Sequence, residues 1–386
     1  MTYYRQMGKI PKKRHTIFRK EDESLFREQV MGTKGFSGVQ SILYHHHPPT
    51  AMKKAERYQN VKPIYEEEEA LCHRHFETDK VKEGGDAVSG RQYILGNDDL
   101  LIGVAKPTKE MKYYYRNSDG DELLFVHRGT GKLETMFGTL TYQPGDYIII
   151  PIATIYRVIP DSKETKLLVV ETSSHVTTPR RYRNEYGQLL EHSPFCERDI
   201  RGPEKLETYT DKGEFEVRTK SRGFLHSHIY DHHPLDVVGW DGYVYPWIFN
   251  ISDFEPITGR IHMPPPIHQT FEGHNFVICS FCPRLYDYHP EAIPAPYYHS
   301  NVNSDEVLYY VEGNFMSRKG INEGSITLHP SGIPHGPHPG TIENSIGKKE
   351  TKELAVMIDT FRPLKVIKNA HEIEDSNYKY SWVSKS

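Results

Sequence analysis

The stretch YYHSNVNSDEVLYYVEG, Tyr297 to Gly313, decides the fold because the chain contains a second copy of it. Placed under it without a gap, YYYRNSDGDELLFVHRG, Tyr113 to Gly129, repeats two tyrosines, an asparagine, an Asp-Glu pair, a leucine and the closing glycine. The segments that follow also match, since GDYIIIPIATIY, Gly145 to Tyr156, aligns with GSITLHPSGIPH, Gly324 to His335. Repetition on this scale predicts two copies of one structural unit.

Outside the repeat, the regular signal has a period of two, which is typical of β-strands. Short apolar runs broken by Gly, Pro, Asn and Asp include RQYILGNDDLLIGVAKP and GKLETMFGTLTYQPGDYIIIP. A single copy would expose one apolar face, so we predict a mainly β fold in which each copy closes its own antiparallel barrel. Helical signal is limited to ESLFREQVMG, Glu23 to Gly32, and EEEEALCHRHFE, Glu66 to Glu77.

Composition narrows the class of partner. The 386 residues are 37% hydrophobic and 12% aromatic, enough for one large or two ordinary domains with their own cores. The formal charge of -4 gives no general attraction to nucleic acid or to an anionic membrane. The polar, basic N-terminus lacks the apolar core of a signal peptide, and no window approaches the length of a membrane span. We therefore expect a cytoplasmic protein that acts on a small molecule or another protein.

The cysteines and clustered histidines give weaker signals. Four cysteines are too few for a disulfide scaffold, and the CxxC at Cys279 and Cys282 lies in a strand-like apolar run without a second pair. We predict buried structural thiols there. His45 to His47 and the pair His232–His233 precede prolines, which places both clusters in turns. Either cluster has metal-binding chemistry, although local hydrogen bonding explains them more simply.

The two copies of the repeat differ in a way that predicts a site. His299 in the second copy aligns with Tyr115 in the first, and His335 aligns with Tyr156. The carboxylate is shared, since Glu306 aligns with Glu122. The first copy shows that the scaffold does not need the two imidazoles, so the second copy holds something additional.

Two histidines and one carboxylate form the facial triad that binds non-heme Fe(II) and leaves coordination positions open. His299 and Glu306 lie seven residues apart at the start of a hairpin strand, and His335 follows a Gly-Pro turn on the facing strand pair. All three side chains can then point into one barrel mouth. The alternative is three separate structural polar residues.

The same segments carry a resemblance to a known family. HxNxxxxExxxxxxG from His299, and the second motif carried by Gly324, Pro330, Gly332 and His335, resemble the two cupin motifs. PYYHSN, LHPSGIPHGPHPG and HPLDVVGWDGYVYPW resemble the homogentisate 1,2-dioxygenase family, in particular its shorter bacterial form, over roughly residues 92–363. The resemblance implies a bicupin of two double-stranded β-helix (jelly-roll) barrels. It also implies an Fe(2+) enzyme that uses O2 to open the ring of homogentisate to 4-maleylacetoacetate in tyrosine and phenylalanine catabolism.

The resemblance also implies roles for individual residues. It gives His299, Glu306 and His335 as iron ligands, with His335 also beside the substrate. It gives His262, in RIHMPPPIHQTF, as the catalytic histidine, with His268 as the competing choice. It adds three further residues of the substrate pocket, which are Tyr297, Asn301 and His329.

Two departures from the family pattern bear on these assignments. Phe315 stands where larger members have a tyrosine that contacts the substrate carboxylate, which leaves the carboxylate anchor unassigned. The loop after His299 is one residue longer than in those members, so Asp305 competes with Glu306 as the ligand. The repeat favours Glu306, because its distance to Gly313 matches that from Glu122 to Gly129.

The resulting hypothesis has a defined organisation and defined alternatives. We expect an N-terminal extension over residues 1–90 that packs on the barrels, a barrel without the triad over 91–235, and an iron-bearing barrel over 236–386. The resemblance further suggests a homo-oligomer built on trimers. The alternatives are a related cupin enzyme acting on gentisate or another hydroxylated aromatic acid, a metal-binding cupin without oxygenase activity, and a structural bicupin.

Overall fold

Regular structure in this protein is almost entirely β-strand. A computed structural model describes residues 3–67, 70–313 and 320–383. These ranges contain 27 strands and one α-helix, α1 (Thr341–Ser345), so the predicted mainly β fold with few helices is confirmed. Seven short 3-10 segments lie at Thr78–Lys80, Arg180–Tyr182, Glu197–Asp199, Ile251–Asp253, Pro265–His268, Lys368–Ile373 and Tyr378–Tyr380.

The strands fall into three consecutive groups along the chain. The extension contributes β1 (Arg5–Gly8), β2 (Arg27–Gly32), β3 (Gln40–His45), β4 (Met52–Asn60) and β5 (Arg74–Glu77). The next group is β6 (Arg91–Gly96), β7 (Leu100–Ala105), β8 (Tyr114–Asn117), β9 (Glu122–Arg128), β10 (Gly131–Thr135), β11 (Gly138–Tyr142), β12 (Asp146–Ile150), β13 (Tyr156–Pro160), β14 (Lys166–Thr172), β15 (Ile200–Arg201), β16 (Lys212–Ser221), β17 (Phe224–His232), β18 (Val237–Gly242) and β19 (Trp247–Asn250). The last group is β20 (Gln269–Gly273), β21 (Phe276–Phe281), β22 (Arg284–Leu285), β23 (Asp305–Glu312), β24 (Ser325–His329), β25 (Glu350–Thr351), β26 (Leu354–Thr360) and β27 (Lys365–Val366).

Two sheets enclose the core of the N-terminal half. One has the order β15-β19-β12-β9-β14-β7-β6-β27 and the other β11-β10-β13-β8-β16-β17-β4. Leu124 and Ile148 from the first sheet pack in one buried cluster with Leu133 and Val158 from the second. The opposite face of the first sheet, which carries Phe125, belongs to a larger core shared with the C-terminal half.

The C-terminal half is built on the sheet β20-β21-β26-β23-β24-β5, and β22 pairs with β25 beside it. Alternation along β23 separates two faces. Val307 and Tyr309 are buried in the core shared with the N-terminal half, whereas Leu308 and Tyr310 point to the other side. Burying one face of β23 therefore orients the residues of the other face, including Glu306, toward a cavity.

The two segments for which the sequence predicts helix form strands instead. Glu23 to Gly32 contains β2, which pairs with β3, and the second segment contains β5, which pairs with β24. Pairing with a neighbouring strand outweighs the local helix preference of glutamate and leucine, because it satisfies the backbone and buries Phe76 completely. Glu68 and Glu69 in the second segment lie outside the described residues.

The repeat holds at the level of the backbone. Tyr115 and Tyr156 are antiparallel partners between β8 and β13, and their counterparts His299 and His335 form an antiparallel bridge. The glycines that close the aligned stretches also correspond. Gly129 and Gly313 have φ values of 95° and 106°, a left-handed conformation that side chains disfavour.

Strand exchange ties the halves together. β18 pairs with β1 and β3 of the extension, and β19 pairs with β12 and β15 of the N-terminal half. The stretch from β18 to Asn250 therefore forms its strand pairs with elements that precede it in the sequence. We therefore propose a boundary between the halves after Ile251–Asp253 rather than at residue 235. In the other direction, β27 joins the edge of the N-terminal sheet at β6.

The remaining sequence expectations concern cysteines and membranes. All four cysteines are free, and Cys279 and Cys282 are buried. Burial raises the pKa of the Cys282 thiol to about 12, as expected for a structural thiol. None of the helices in the described part of the chain is both long and apolar enough to cross a membrane.

Candidate metal centre

Three residues predicted as ligands converge at one end of the C-terminal sheet. The backbones of His299 and His335 exchange two N–H···O hydrogen bonds of 2.9 Å, which brings their ring centroids to 4.3 Å. Glu306 reaches both rings, with Oε2 3.6 Å from Nε2 of His299 and Oε1 3.5 Å from Nε2 of His335. One donor atom from each of the three residues lies within 4.8 Å of the others. The predicted triad is therefore assembled in space.

The surroundings of the triad fit a cation. The side chain of His335 is fully buried, and among the described residues neither of its ring nitrogens has a hydrogen-bond partner. Leaving such a group unsatisfied costs about 1–3 kcal/mol, which coordination by a cation would remove. Nδ1 of His299 lies 3.1 Å from the carbonyl oxygen of Tyr297, and this contact presents Nε2 to Glu306. The donor set of two imidazoles and one carboxylate suits a divalent transition metal.

Glu306 is held as a carboxylate at this position. Burial raises its pKa, but its contacts with His299, His329 and His335 outweigh burial and place the pKa well below its usual range. Asp359 faces Glu306 across β23 and β26. Burial and the nearby Glu306 carboxylate raise the pKa of Asp359 to about 8. The pKa of one carboxyl at the site is thus lowered while that of its neighbour is raised, a pairing that the sequence did not reveal.

Asp305, the competing ligand, points elsewhere. Its two carboxylate oxygens accept hydrogen bonds from the backbone N–H groups of Ser331, at 2.8 Å, and Leu364, at 2.7 Å. The first copy contains the same arrangement, because Asp121 accepts from the backbone of Ile152 at 2.9 Å. The aspartate of the Asp-Glu pair fixes a turn in both barrels, which leaves Glu306 for the triad.

His329 lies behind the triad. It is fully buried on β24, directly across the ladder from Glu306, and its Nδ1 is 2.7 Å from Oε1 of that carboxylate. Its Nε2 is 3.1 Å from the hydroxyl of Tyr378. His329, which the resemblance gave as a pocket residue, thus contacts Glu306 with one ring nitrogen and Tyr378 with the other, and it is not among the residues that line the cavity.

A cavity of about 180 Å³ opens beside the triad, with His299 and Glu306 in its wall. Both candidate catalytic histidines line it. His262 is half exposed, and its Nδ1 is 3.3 Å from Oδ2 of Asp287. His268 is buried against Phe281, and burial lowers its pKa to about 3. The apolar part of the wall includes Ile257, Met263, Ile267, Phe281, Leu308 and Met357.

Tyr297 and Asn301 lie near the cavity but outside its wall. The ring of Tyr297 is half exposed and meets the rings of His262 and His299 edge-on, at 5.0 and 5.8 Å. Asn301 contributes its backbone carbonyl, which accepts a hydrogen bond from Gly332 at 3.2 Å. Phe315, which bears on the carboxylate anchor, lies outside the described residues.

Arg284 is a functional candidate that sequence reasoning missed. Among the described lining residues it is the only arginine or lysine, and burial lowers its pKa. Its guanidinium packs over Phe281 and donates to the carbonyl of Cys282, while Glu353 and Asp287 line the same cavity. Arg284 follows the CxxC by two residues, and no motif or repeat in the sequence singles it out.

In the first copy of the repeat, an arginine lies at the place that corresponds to the candidate metal site of the second copy. Nη2 of Arg91 lies 2.9 Å from the hydroxyl of Tyr156, and Nη1 forms ion pairs with Glu122 and Glu171. Tyr156 and Glu122 are the counterparts of His335 and Glu306. The guanidinium charge thus lies between the positions that correspond to His335 and Glu306 of the candidate metal site, and this copy has no imidazole at either position.

Comparison with known proteins identifies the family of this chain. Family models for the N-terminal and C-terminal parts of homogentisate 1,2-dioxygenase match residues 22–251 and 263–386. A candidate dioxygenase of Saccharolobus solfataricus is 42% identical over 99% of both chains. Homogentisate 1,2-dioxygenase of Bradyrhizobium diazoefficiens is 28% identical, covering 71% of this chain and 64% of that protein.

Among solved structures, a cupin 2 conserved barrel domain protein from Leptotrichia buccalis covers 81% of this chain and 100% of its own, with 11% identity and a TM-score of 0.35. The two family models together match most of the chain and meet close to the boundary proposed from strand pairing. The mainly β fold is consistent with the two family models, and these models lead to one conclusion. The chain belongs to the homogentisate 1,2-dioxygenase family of ring-cleaving enzymes.

Proposed function

We propose that this protein cleaves the ring of homogentisate with O2 to give 4-maleylacetoacetate, using Fe(2+) held by His299, Glu306 and His335. The observation that carries the proposal is the assembled triad beside a cavity whose wall contains His299 and Glu306 together with His262 and Arg284. Family membership supports the reaction class. The two-histidine, one-carboxylate set supports ferrous iron, because this set leaves coordination positions for substrate and oxygen.

A bound ferrous ion supplies the route by which electrons pass from a singlet aromatic ring to triplet O2. The ligands also tune the charge of the site. Two neutral imidazoles and the Glu306 carboxylate leave one positive charge of a divalent ion uncompensated, which favours an anionic substrate. His329 holds the Glu306 carboxylate in the orientation that coordination needs.

Arg284 is proposed as the anchor of the substrate carboxylate. It is the cationic side chain of the described cavity wall, and a guanidinium binds a carboxylate through two parallel hydrogen bonds. Leu308 and Met357 in the same wall supply apolar surface for the ring. The cavity wall therefore combines a cationic side chain, apolar surface and two of the proposed metal ligands, which suits a hydroxylated aryl acetate.

His262 is proposed to hold and move the proton of a ring hydroxyl. Its Nδ1 lies beside Asp287, which orients Nε2 as the proton-transferring atom. His268 is less suited, because a pKa of about 3 keeps its imidazole unprotonated and a poor base throughout the neutral range. Tyr297 packs against the rings of both His262 and His299 and so fixes their relative position. The family resemblance also supports a trimer-based homo-oligomer.

Oxygen uptake by the anaerobically Fe(II)-loaded protein tests the proposal, with homogentisate and gentisate supplied separately and the ring-opened product followed by absorbance. We expect uptake with homogentisate alone, and loss of uptake in His335→Ala. Uptake with gentisate alone would retain the triad and overturn the substrate. Bound iron without uptake on either acid would indicate a metal-binding cupin that lacks oxygenase activity.

A further inference from the structure

Two histidine clusters that are far apart in the sequence meet at one buried carboxylate, and they share no residue with the triad. His47 follows β3, His232 ends β17, and Asp236 precedes β18. The rings of His47 and His232 stack with centroids 4.3 Å apart. One donor atom from each of the three residues lies within 4.8 Å of the others, the same spacing as in the triad.

The cluster is built like a metal site rather than a chance contact. The side chains of His232 and Asp236 are 5% and 3% exposed, and that of His47 is 29% exposed. Packing the imidazoles of His47 and His232 around the buried carboxylate of Asp236 requires a specific reason, since buried polar groups need hydrogen-bond partners or a metal ion. The partial exposure of His47 gives an ion access from solvent.

Neighbouring groups orient the potential ligands, as they do around bound metals. Nδ1 of His232 is 3.0 Å from Oδ1 of Asp231, which turns Nε2 of the ring toward the cluster. No hydrogen bond to that Nε2 is found among the described residues. Asp236 is held from the other side, because its Oδ1 is 2.7 Å from Nδ1 of His45 while Nε2 of His45 contacts Gln29 at 2.9 Å.

The spacing suits tetrahedral coordination. Zn–N and Zn–O bonds place neighbouring ligand atoms of a tetrahedral Zn²⁺ about 3.3 Å apart. Nδ1 of His47 and Oδ2 of Asp236 are 3.1 Å apart, so this edge needs almost no movement. A cavity of about 50 Å³ adjoins His232 and Asp236 and has room for a water as fourth ligand. Arg116 also lines this cavity, and its guanidinium hydrogen-bonds with the hydroxyl of Thr219 and with Nδ1 of His228.

We propose that His47, His232 and Asp236 bind a second divalent ion, of the Zn²⁺ class, with His45 and Asp231 as its orienting partners. The mixed imidazole and carboxylate set matches zinc chemistry, and the site is distinct in residues from the triad. Its place in the fold indicates a structural role. The ion would join the end of β3, in the N-terminal extension, to the turn between β17 and β18 of the N-terminal half.

Zinc stoichiometry in a His335→Ala background tests this, because that change disables the triad in the full-length chain. Tag-free protein is loaded with ZnCl2, dialysed and analysed for zinc per chain. His47→Ala is compared with His46→Ala, a matched control whose ring packs on Phe26 instead. We expect the His47→Ala chain to hold one zinc fewer than the His46→Ala chain. Equal zinc in the two variants would overturn the proposal.

A second measurement separates metal loss from misfolding. Co²⁺ is substituted in the same two variants, and the visible absorption of tetrahedral Co²⁺ is recorded beside the far-UV circular dichroism. The expected result is the tetrahedral signature in His46→Ala and its loss in a folded His47→Ala chain. A tetrahedral Co²⁺ spectrum that survives in His47→Ala would contradict the assignment. If His47→Ala does not fold, the conservative His232→Gln replaces it, with the same expected loss and the same contrary result.

Discussion

Nδ1 of His329 lies 2.7 Å from Oε1 of Glu306, which makes a fully buried histidine the partner of the proposed ligand carboxylate. The same ring reaches the hydroxyl of Tyr378 with Nε2 at 3.1 Å. The orientation of the ligand is therefore set by a chain of hydrogen bonds that ends in the C-terminal segment. We therefore expect His329 to act on a bound metal through Glu306, as a positioning residue.

Replacing His329 with leucine should weaken metal binding at the triad. Orienting partners of this kind are typically worth 10- to 100-fold in metal affinity. The measurement is competitive titration of Fe(II) or a surrogate divalent ion against a chelator. Tyr378→Phe should give a smaller loss in the same direction, and His274→Gln, which changes an exposed histidine, should give none. Unchanged affinity in His329→Leu would show that Glu306 does not need this partner.

Replacing Arg284 with glutamine should raise KM for homogentisate by roughly 10- to 100-fold, because a hydrogen bond to a charged group is worth about 1.5–3 kcal/mol. Metal content should stay the same, since Arg284 is not a ligand. Steady-state oxygen uptake over a range of substrate concentrations measures the effect. Arg362→Gln is the control, as this half-exposed arginine pairs with Asp99 instead. A normal KM in Arg284→Gln would place the carboxylate anchor elsewhere.

His262→Gln should lower kcat by about 100-fold or more, the range for loss of general acid–base catalysis. Iron should remain bound. His268→Gln should mainly lower thermal stability, because His268 is buried against Phe281. Single-turnover kinetics and thermal unfolding of both variants show which of the two histidines is catalytic. If kcat falls in His268→Gln and not in His262→Gln, the roles of the two histidines are reversed.

Arg91→Met should destabilise the N-terminal barrel without removing the metal from the other one. The arginine is 2% exposed, and its loss leaves Glu122 and Glu171 buried with less compensation. Removing one partner of a buried ion pair costs about 3–5 kcal/mol. Denaturant unfolding measures the loss, and metal analysis of the folded fraction provides the control. A cost below about 1 kcal/mol would mean that the guanidinium does not stand in for a cation.

His127 should make stability depend on pH on the acid side. Burial lowers its folded-state pKa from 6.5 to about 3, while Nδ1 hydrogen-bonds Tyr309. As the pH falls, His127 is therefore protonated in the unfolded chain before it is protonated in the folded one. Its full contribution to the free energy of unfolding is present above pH 6.5 and is lost progressively toward pH 3. In that window the group contributes a slope of about 1.4 kcal/mol per pH unit. His127→Asn should flatten the slope of unfolding free energy by that amount, and an unchanged slope would contradict the assignment.

The repeat allowed much of the site to be predicted from sequence. Aligning Glu122 with Glu306 placed each carboxylate near the start of an equivalent strand, β9 or β23, and the structure pairs the aligned tyrosines and histidines in the same way. Period-two patterns gave the mainly β class for a similar reason. Alternation follows directly from burying one face of a strand.

What the sequence did not reveal depends on contacts between distant segments. Arg284 and Arg91 gain their meaning from the cavities around them, and neither lies in the aligned repeat. The strand β5 reads as helix because its pairing partner is far away in the chain, β24 being about 250 residues beyond it. His47 and His232 likewise meet only once β3 and β18 are paired through Val237 and His45.

The position of β5 has a consequence for how the protein is made. Arg74–Glu77 leaves the ribosome early, yet it covers the edge of β24, which is synthesised near the end. Until residue 329 has emerged, β5 has no strand to pair with. Afterwards the C-terminal sheet has an open edge at β24 until β5 pairs with it. The C-terminal half therefore cannot mature as a free-standing unit. A gene fragment that begins at the boundary between the halves would encode the three proposed ligands without the strand that completes their sheet.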